Sequence, residues 1–240
     1  MTGYDRTKPL ISIHVPKCAG SSLREVLMSW FGAGFFRHYH NEREGEAPMV
    51  FPLWDEDGVP THSEPVCVHG HFNRSRRNGF ERYYPYAEQL ITVLRDPCEV
   101  QISNYFYVKE AADRGTPGAM TNGTVHEIVS NQWTLSDWLG RHHGSIFLPF
   151  LPEGTDVTNY REVLDDRFLY IGLAEHMDRV VEDLSDLLGF EPIPVPKLNA
   201  AARDETVDRD LRERFAANHP MDVAIFEHLL ERFDSKLTAH

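Results

Sequence analysis

Apolar and polar positions alternate along the chain in two kinds of stretch. LISIHV at 10–15, VCVHG at 66–70, QLITVL at 89–94 and RFLYIGL at 167–173 are nearly continuous apolar runs. They lack a polar face, which predicts strands buried on both sides. Other stretches have helical spacing: in SSLREVLMSWFG, residues 21–32, Leu23, Val26, Leu27 and Trp30 share one face. Asp96 and Pro97 stand where an N-cap and a first-turn proline belong, predicting a helix over 97–112. AEHMDRVVEDLSDLLG, 174–189, reads as a helix closed by Gly189. Two more helical stretches fall at about 204–217 and 220–235. Strands alternating with helices predict an α/β fold, a central parallel sheet flanked by helices, in a single domain over 1–240.

Two segments break the pattern. Residues 32–65, with Pro48, Pro52, Pro60 and Pro65, read as a long irregular excursion or lid. Residues 113–160 hold a break, RGTPGAMTNGT, and short helical pieces around His126 and Trp133, a helical insertion. Composition narrows the setting. With 41% hydrophobic residues the 240-residue chain can build a substantial core. No apolar run approaches the roughly 20 residues that cross a bilayer, and MTGYDRTKPL lacks the apolar stretch of a signal peptide, so a cytoplasmic protein without stable membrane insertion is expected. Three cysteines, Cys18, Cys67 and Cys98, read as reduced core thiols. A net charge of −13 disfavours nucleic acid as a partner. An anionic ligand then needs a local basic site.

HVPKCAGSSLREVL, 14–27, offers one. A strand running into a turn and a helix aims free backbone N–H groups beyond the sheet's carboxyl edge. Gly20 lets the backbone approach a phosphate, Ser21 and Ser22 add hydroxyls, and Lys17 adds a movable charge. Lysine precedes glycine here, so the order differs from that of a nucleoside-triphosphatase loop. A tight turn with a solvated lysine is the plainer alternative.

Strand, H-V-P-K, two small residues, Gly-Ser-Ser and helix together resemble the 5′-phosphosulfate loop of sulfotransferases that use 3′-phosphoadenosine 5′-phosphosulfate (PAPS). LRDPCEVQISNYFY, 94–107, resembles the same family's 3′-phosphate site, L-R-D-P-x-x-R-x-x-S-x-Y, with Val100 in place of the second arginine. FLYIGLAEHMDRVVEDLSDLLG and PKLNAA are further matches, the latter offering Lys197 and Asn199 for a loop near the nucleotide. The resemblance covers residues 10–200 as spaced motifs. It implies the sulfotransferase fold, related to that of P-loop nucleoside triphosphatases, with PAPS as donor and PAP as product. It also implies that Pro16, Lys17, Gly20, Ser21 and Ser22 hold the 5′-phosphosulfate and that Arg95 and Ser103 hold the 3′-phosphate.

Sulfuryl transfer to a hydroxyl requires a base, cationic help for the leaving phosphate and in-line placement, and no metal. CVHGHF, 67–72, puts His69 and His71 at a strand end. A His-Gly-His there looks like the uronyl 2-O-sulfotransferases of glycosaminoglycans, which implies His71 as base and His69 as its partner or a substrate contact. Satisfied rim histidines are one alternative. A zinc site is the other, since Cys67, His69 and His71 alternate along one strand and His142-His143 stand further off. Arg74, Arg76, Arg77 and Arg82 form the densest basic cluster. It reads as a solvated face, or as steering for an acidic acceptor such as a uronate-bearing saccharide or a phosphorylated lipid head group. Arg74, Arg76 and Arg77 are thus candidate substrate contacts. The expected function is sulfuryl transfer to a hydroxyl of a small molecule, carbohydrate or glycolipid. The rivals are a magnesium-dependent nucleotide phosphotransferase (kinase) and a noncatalytic nucleotide- or anion-binding module.

Overall fold

The computed structural model describes residues 3–39, 49–116, 123–195 and 207–237, the side chains of 123–126 and 234–237 excepted. Lys197 and Asn199 lie outside the described residues.

Five strands form one parallel sheet: β1 Leu10–Ile13, β2 Phe35–His38, β3 Cys67–Gly70, β4 Gln89–Leu94 and β5 Phe168–Leu173, in the order β2-β3-β1-β4-β5. Residues alternate between its two faces, as a period of two demands. Leu10, Ile91 and Val93 pack against Leu23, Leu27 and Phe31 of α1 (Gly20–Phe31) and Val180, Leu184 and Leu188 of α6 (Met177–Leu188). On the other face Ile11, Ile13, Val68, Leu90 and Leu94 meet Leu164 of α5 (Tyr160–Asp166) and Ile225 and Leu229 of α8 (Pro220–Leu237). A strand covered on both faces has no polar alternation to display, which is why these runs read as continuous apolar stretches.

The helix after β4, α2, spans Pro97–Asp113; Asp96 caps it by accepting from the Glu99 N–H at 2.9 Å, and Pro97 opens its first turn. Gly189, at φ 72°, ends α6 and donates its N–H to Ser185 O. Residues 113–160 contain α3 (Gly123–Ser130) and α4 (Leu135–Leu139), the latter opened by a Thr134–Asp137 capping box. Apolar residues of α2 and α4 and of α7 (Arg209–Asn218) make a separate core around Ile102, Trp138 and Phe215. This ties the C-terminal helices to the end of α2 that leaves the sheet.

The expectation of a wholly irregular 32–65 is corrected: Phe35–His38 is an edge strand beside β3. Two glycines permit it. A Cβ on Gly34 would lie 2.3 Å from Pro65 O, and one on Gly70 would lie 1.9 Å from His38 O. Phe51 also packs on Phe36, so the described part returning toward β3 lies against the core. Cys18, Cys67 and Cys98 are free and buried. No helix among the described residues is long and apolar enough to cross a membrane.

Candidate active site

Register decides what meets at the carboxyl edge. Ile13 lies opposite Gly70 of β3 and Thr92 of β4, so the residues after all three strands emerge together. The sheet order also turns at β1, which has β3 on one side and β4 on the other. Crevices at such a reversal are where α/β sheets take ligands.

The turn after β1 holds two non-glycine residues in the left-handed region, Lys17 at φ 67° and Ala19 at φ 57°. Each costs roughly 1–2 kcal/mol relative to ordinary backbone, and left-handed residues in such turns are one way a backbone faces N–H groups toward an anion. Helix α1 starts at Gly20 with no acidic residue in its first turn, so its positive end is uncompensated. Ser21 is half-buried and Ser22 buried. A Cβ on Gly20 would stand 2.0 Å from His14 Cδ2, so the missing side chain makes room for the imidazole. Lys17 Nζ sits 4.0 Å from the centroid of the exposed Tyr107 ring. Burial, then the nearby Arg95, lowers the Lys17 pKa.

Arg95 follows β4. Its Nη1 donates to Lys17 O at 3.4 Å, its Nη2 lies 3.5 Å from Glu99 Oε2, and its Nε lies 3.9 Å from Glu175 Oε1. Glu175 also accepts from the Asp96 N–H at 3.0 Å. Ser103 is half-buried, about two turns into α2. Val100 points into the core with Leu94, Phe147 and Leu151. The position where the resemblance leads one to expect a second arginine therefore faces apolar side chains, and valine satisfies it.

Three histidines pack together at the ends of β1 and β3. His69 is fully buried, with Nδ1 2.9 Å from Ser12 Oγ and its ring stacked on His14 at 5.1 Å. His14 bridges to His71, whose ring centroid is 4.4 Å away, and its Nδ1 is 2.9 Å from Tyr39 OH. The His71 N–H donates to His38 O at 3.2 Å, and its Nε2 is buried with no hydrogen-bond partner among the described residues. Burial, with Arg76 adding to it, lowers the His71 pKa to about 4. Burial and then His71 lower His69 to about 3, and burial and the other two histidines hold His14 well below its usual value. All three rings are neutral near pH 7. Cys67, by contrast, lies in the core with Leu23 and Leu27, and among the described residues no three His, Cys, Asp or Glu side chains are arranged to hold a metal ion.

Of the basic cluster, Arg76 is exposed and acts on His71. Arg74 is tied down, its Nη2 donating to Leu148 O at 2.7 Å. Arg77 is exposed at φ 59°, its carbonyl accepting from Arg82 Nη1 at 2.9 Å. Arg74 also lines an open cleft of about 470 Å³ with Ser75, His143, Ser145 and Leu148. That is within the size range of small-molecule sites.

No family model matches this chain. No curated protein matches it either. Among solved structures, a mouse sulfotransferase, SULT7A1, complexed with PAP matches with a TM-score of 0.44 at 12% identity, over 91% of this chain and 66% of that one. The chain thus spans about two thirds of that protein's length.

The arrangement brings Lys17, Arg95 and His71 to the ends of three neighbouring strands. Tyr39, Tyr107 and Arg212 join them without having been singled out by motif. Tyr39 and Tyr107 stand in the sequence as ordinary aromatics, and nothing local marks their partners. Arg212 reaches Glu99 Oε1 at 2.6 Å from 113 positions away.

Proposed function

We propose that this chain transfers a sulfuryl group from PAPS to a hydroxyl of an acidic acceptor, of which a uronate-bearing saccharide is the favoured class. The observation that carries the reading is the convergence of Lys17, Arg95 and His71 at one sheet edge, beside the N-terminus of α1. In this reading Pro16, Lys17, Gly20, Ser21 and Ser22 form the loop around the 5′-phosphate, and Arg95 with Ser103 takes the 3′-phosphate. The bond from sulfur to the phosphate oxygen breaks as the bond from sulfur to the acceptor oxygen forms. Lys17 stabilises the oxygen that gains charge, the half-buried His71 imidazole accepts the hydroxyl proton, and PAP leaves. His69 has no exposed surface, so it acts through His14 as a positioning residue. Arg76, which acts on His71, suits the acidic part of the acceptor. Three buried free thiols fit a reducing, cytoplasmic setting.

One observation favours a noncatalytic anion-binding module instead: Val100 faces the core where the resemblance has a second arginine. Calorimetric titration with PAP, 5′-AMP and magnesium-ATP, on wild type and Arg95→Ala, addresses the donor site. Transfer of labelled sulfuryl from PAPS to acidic and neutral oligosaccharides addresses catalysis. Lys17→Ala and His71→Ala are each expected to lower turnover about 100-fold or more, with PAP affinity retained in the His71 variant. PAP binding without transfer to any acceptor would leave the binding module standing, and preference for magnesium-ATP would favour a kinase.

A further inference from the structure

Glu99 is held between two arginines. Its Oε1 accepts from Arg212 Nη2 at 2.6 Å, whereas its Oε2 is 3.5 Å from Arg95 Nη2. A carboxylate bonded this unequally is committed to the nearer guanidinium. Glu99 follows Arg95 by four positions, so α2 itself directs that carboxylate back toward Arg95. Arg212 opposes this from α7, on a side chain 42% exposed, with its Nη1 also 4.0 Å from Asp96 Oδ1. Glu175 adds a further negative charge 3.9 Å from Arg95 Nε. Among the described residues Lys17, Arg95 and Arg212 stand near Asp96, Glu99 and Glu175, with Glu110 acting on Lys17, so Arg212 offsets part of the negative charge around Arg95.

We infer that Arg212 is a positioning residue for the 3′-phosphate: it keeps Glu99 off Arg95, so that the Arg95 guanidinium retains donors for the ligand. The inference rests on the reading that Arg95 takes that phosphate. It locates the site's charge compensation in the C-terminal helices, outside both nucleotide motifs. Arg212 need not touch the nucleotide.

The test is calorimetric titration of wild type, Arg212→Gln, Glu99→Gln and the double variant with PAP and with 5′-AMP, which lacks the 3′-phosphate. Arg212→Gln is expected to weaken PAP about tenfold or more while changing 5′-AMP by less than about twofold, the loss being that of charge-assisted hydrogen bonds to one phosphate. Adding Glu99→Gln is expected to restore PAP binding to near the wild-type value. A merely structural role would weaken both nucleotides and resist this rescue. Unchanged PAP affinity in Arg212→Gln, or a loss that persists in the double variant, overturns the inference. Wild type that binds both nucleotides equally overturns the 3′-phosphate reading and the inference with it, so the wild-type titration tells the two failures apart.

Discussion

His71 combines a strand-end position with a buried Nε2 that has no partner among the described residues. Burial lowers its pKa to about 4, and the sign matters. A base works in its neutral form, so a lowered pKa moves the inactive protonated form to more acid pH. In the proposed reaction, kcat/KM reports the free enzyme and is expected to show no loss from this group between about pH 8 and 5.5. An acid limb centred near the ordinary histidine value of about 6.5 would mean that the base is a solvated group elsewhere. Lys17, Arg95 and His71 were legible because each ends an apolar run, and a charged or imidazole side chain there has few bland uses. Tyr39 and Tyr107 were not, because their partners, His14 and Lys17, are set by turns and helix faces that no local pattern encodes. Gly20 was legible as a special position, and the His14 ring gives a second reason that no local pattern shows.

Among the elements, four strands announced themselves by runs too apolar for a surface, and β2 did not. FFRH is short, half-buried at an edge, and carries the exposed Arg37. An edge strand pairs on one side and is covered less, so the burial that makes a strand readable is missing. What holds β2 in place is close backbone approach at Gly70. A Cβ there would meet the His38 carbonyl at 1.9 Å, and backbone cannot swing aside as a flexible side chain does. Gly70→Ala is expected to cost about 2–3 kcal/mol in denaturant unfolding, the size of an overpacked core site. It should also lower activity beyond the loss of folded protein, because the same carbonyl accepts the His71 N–H. A variant as stable and active as wild type would show that β2 can shift without disturbing the histidines. The terminal helices were legible as helices from their spacing. Their bearing on Arg95 was not, since one long-range ion pair leaves no periodic trace.

Across the whole molecule, the histidine cluster joins the site to the stability of the fold. His14, His69 and His71, and His143 at the cleft, all have pKa values lowered first by burial, with His143 at about 4. In the unfolded chain each titrates near 6.5. Between that value and about pH 4 the unfolded chain binds more protons than the folded one, so stability rises with pH across this window and falls on acidification. At −13 net charge, acidification also relieves self-repulsion, which acts in the opposite direction. That relief is spread over a solvated surface and screened by salt, whereas protonating a fully buried ring is not. The local effect should prevail, at up to about 1.4 kcal/mol per pH unit for each histidine held neutral. Denaturant unfolding at pH 7, 5.5 and 4.5 in moderate salt measures it. His69→Gln, which keeps a polar group beside Ser12, is expected to make the slope shallower by about one proton. A slope unchanged by that substitution, or stability that rises on acidification, would show that the sheet's carboxyl edge opens to water readily enough to protonate its histidines in the folded state. The same opening would bring the His71 limb of kcat/KM back toward 6.5, so the unfolding slope and the rate profile should move together.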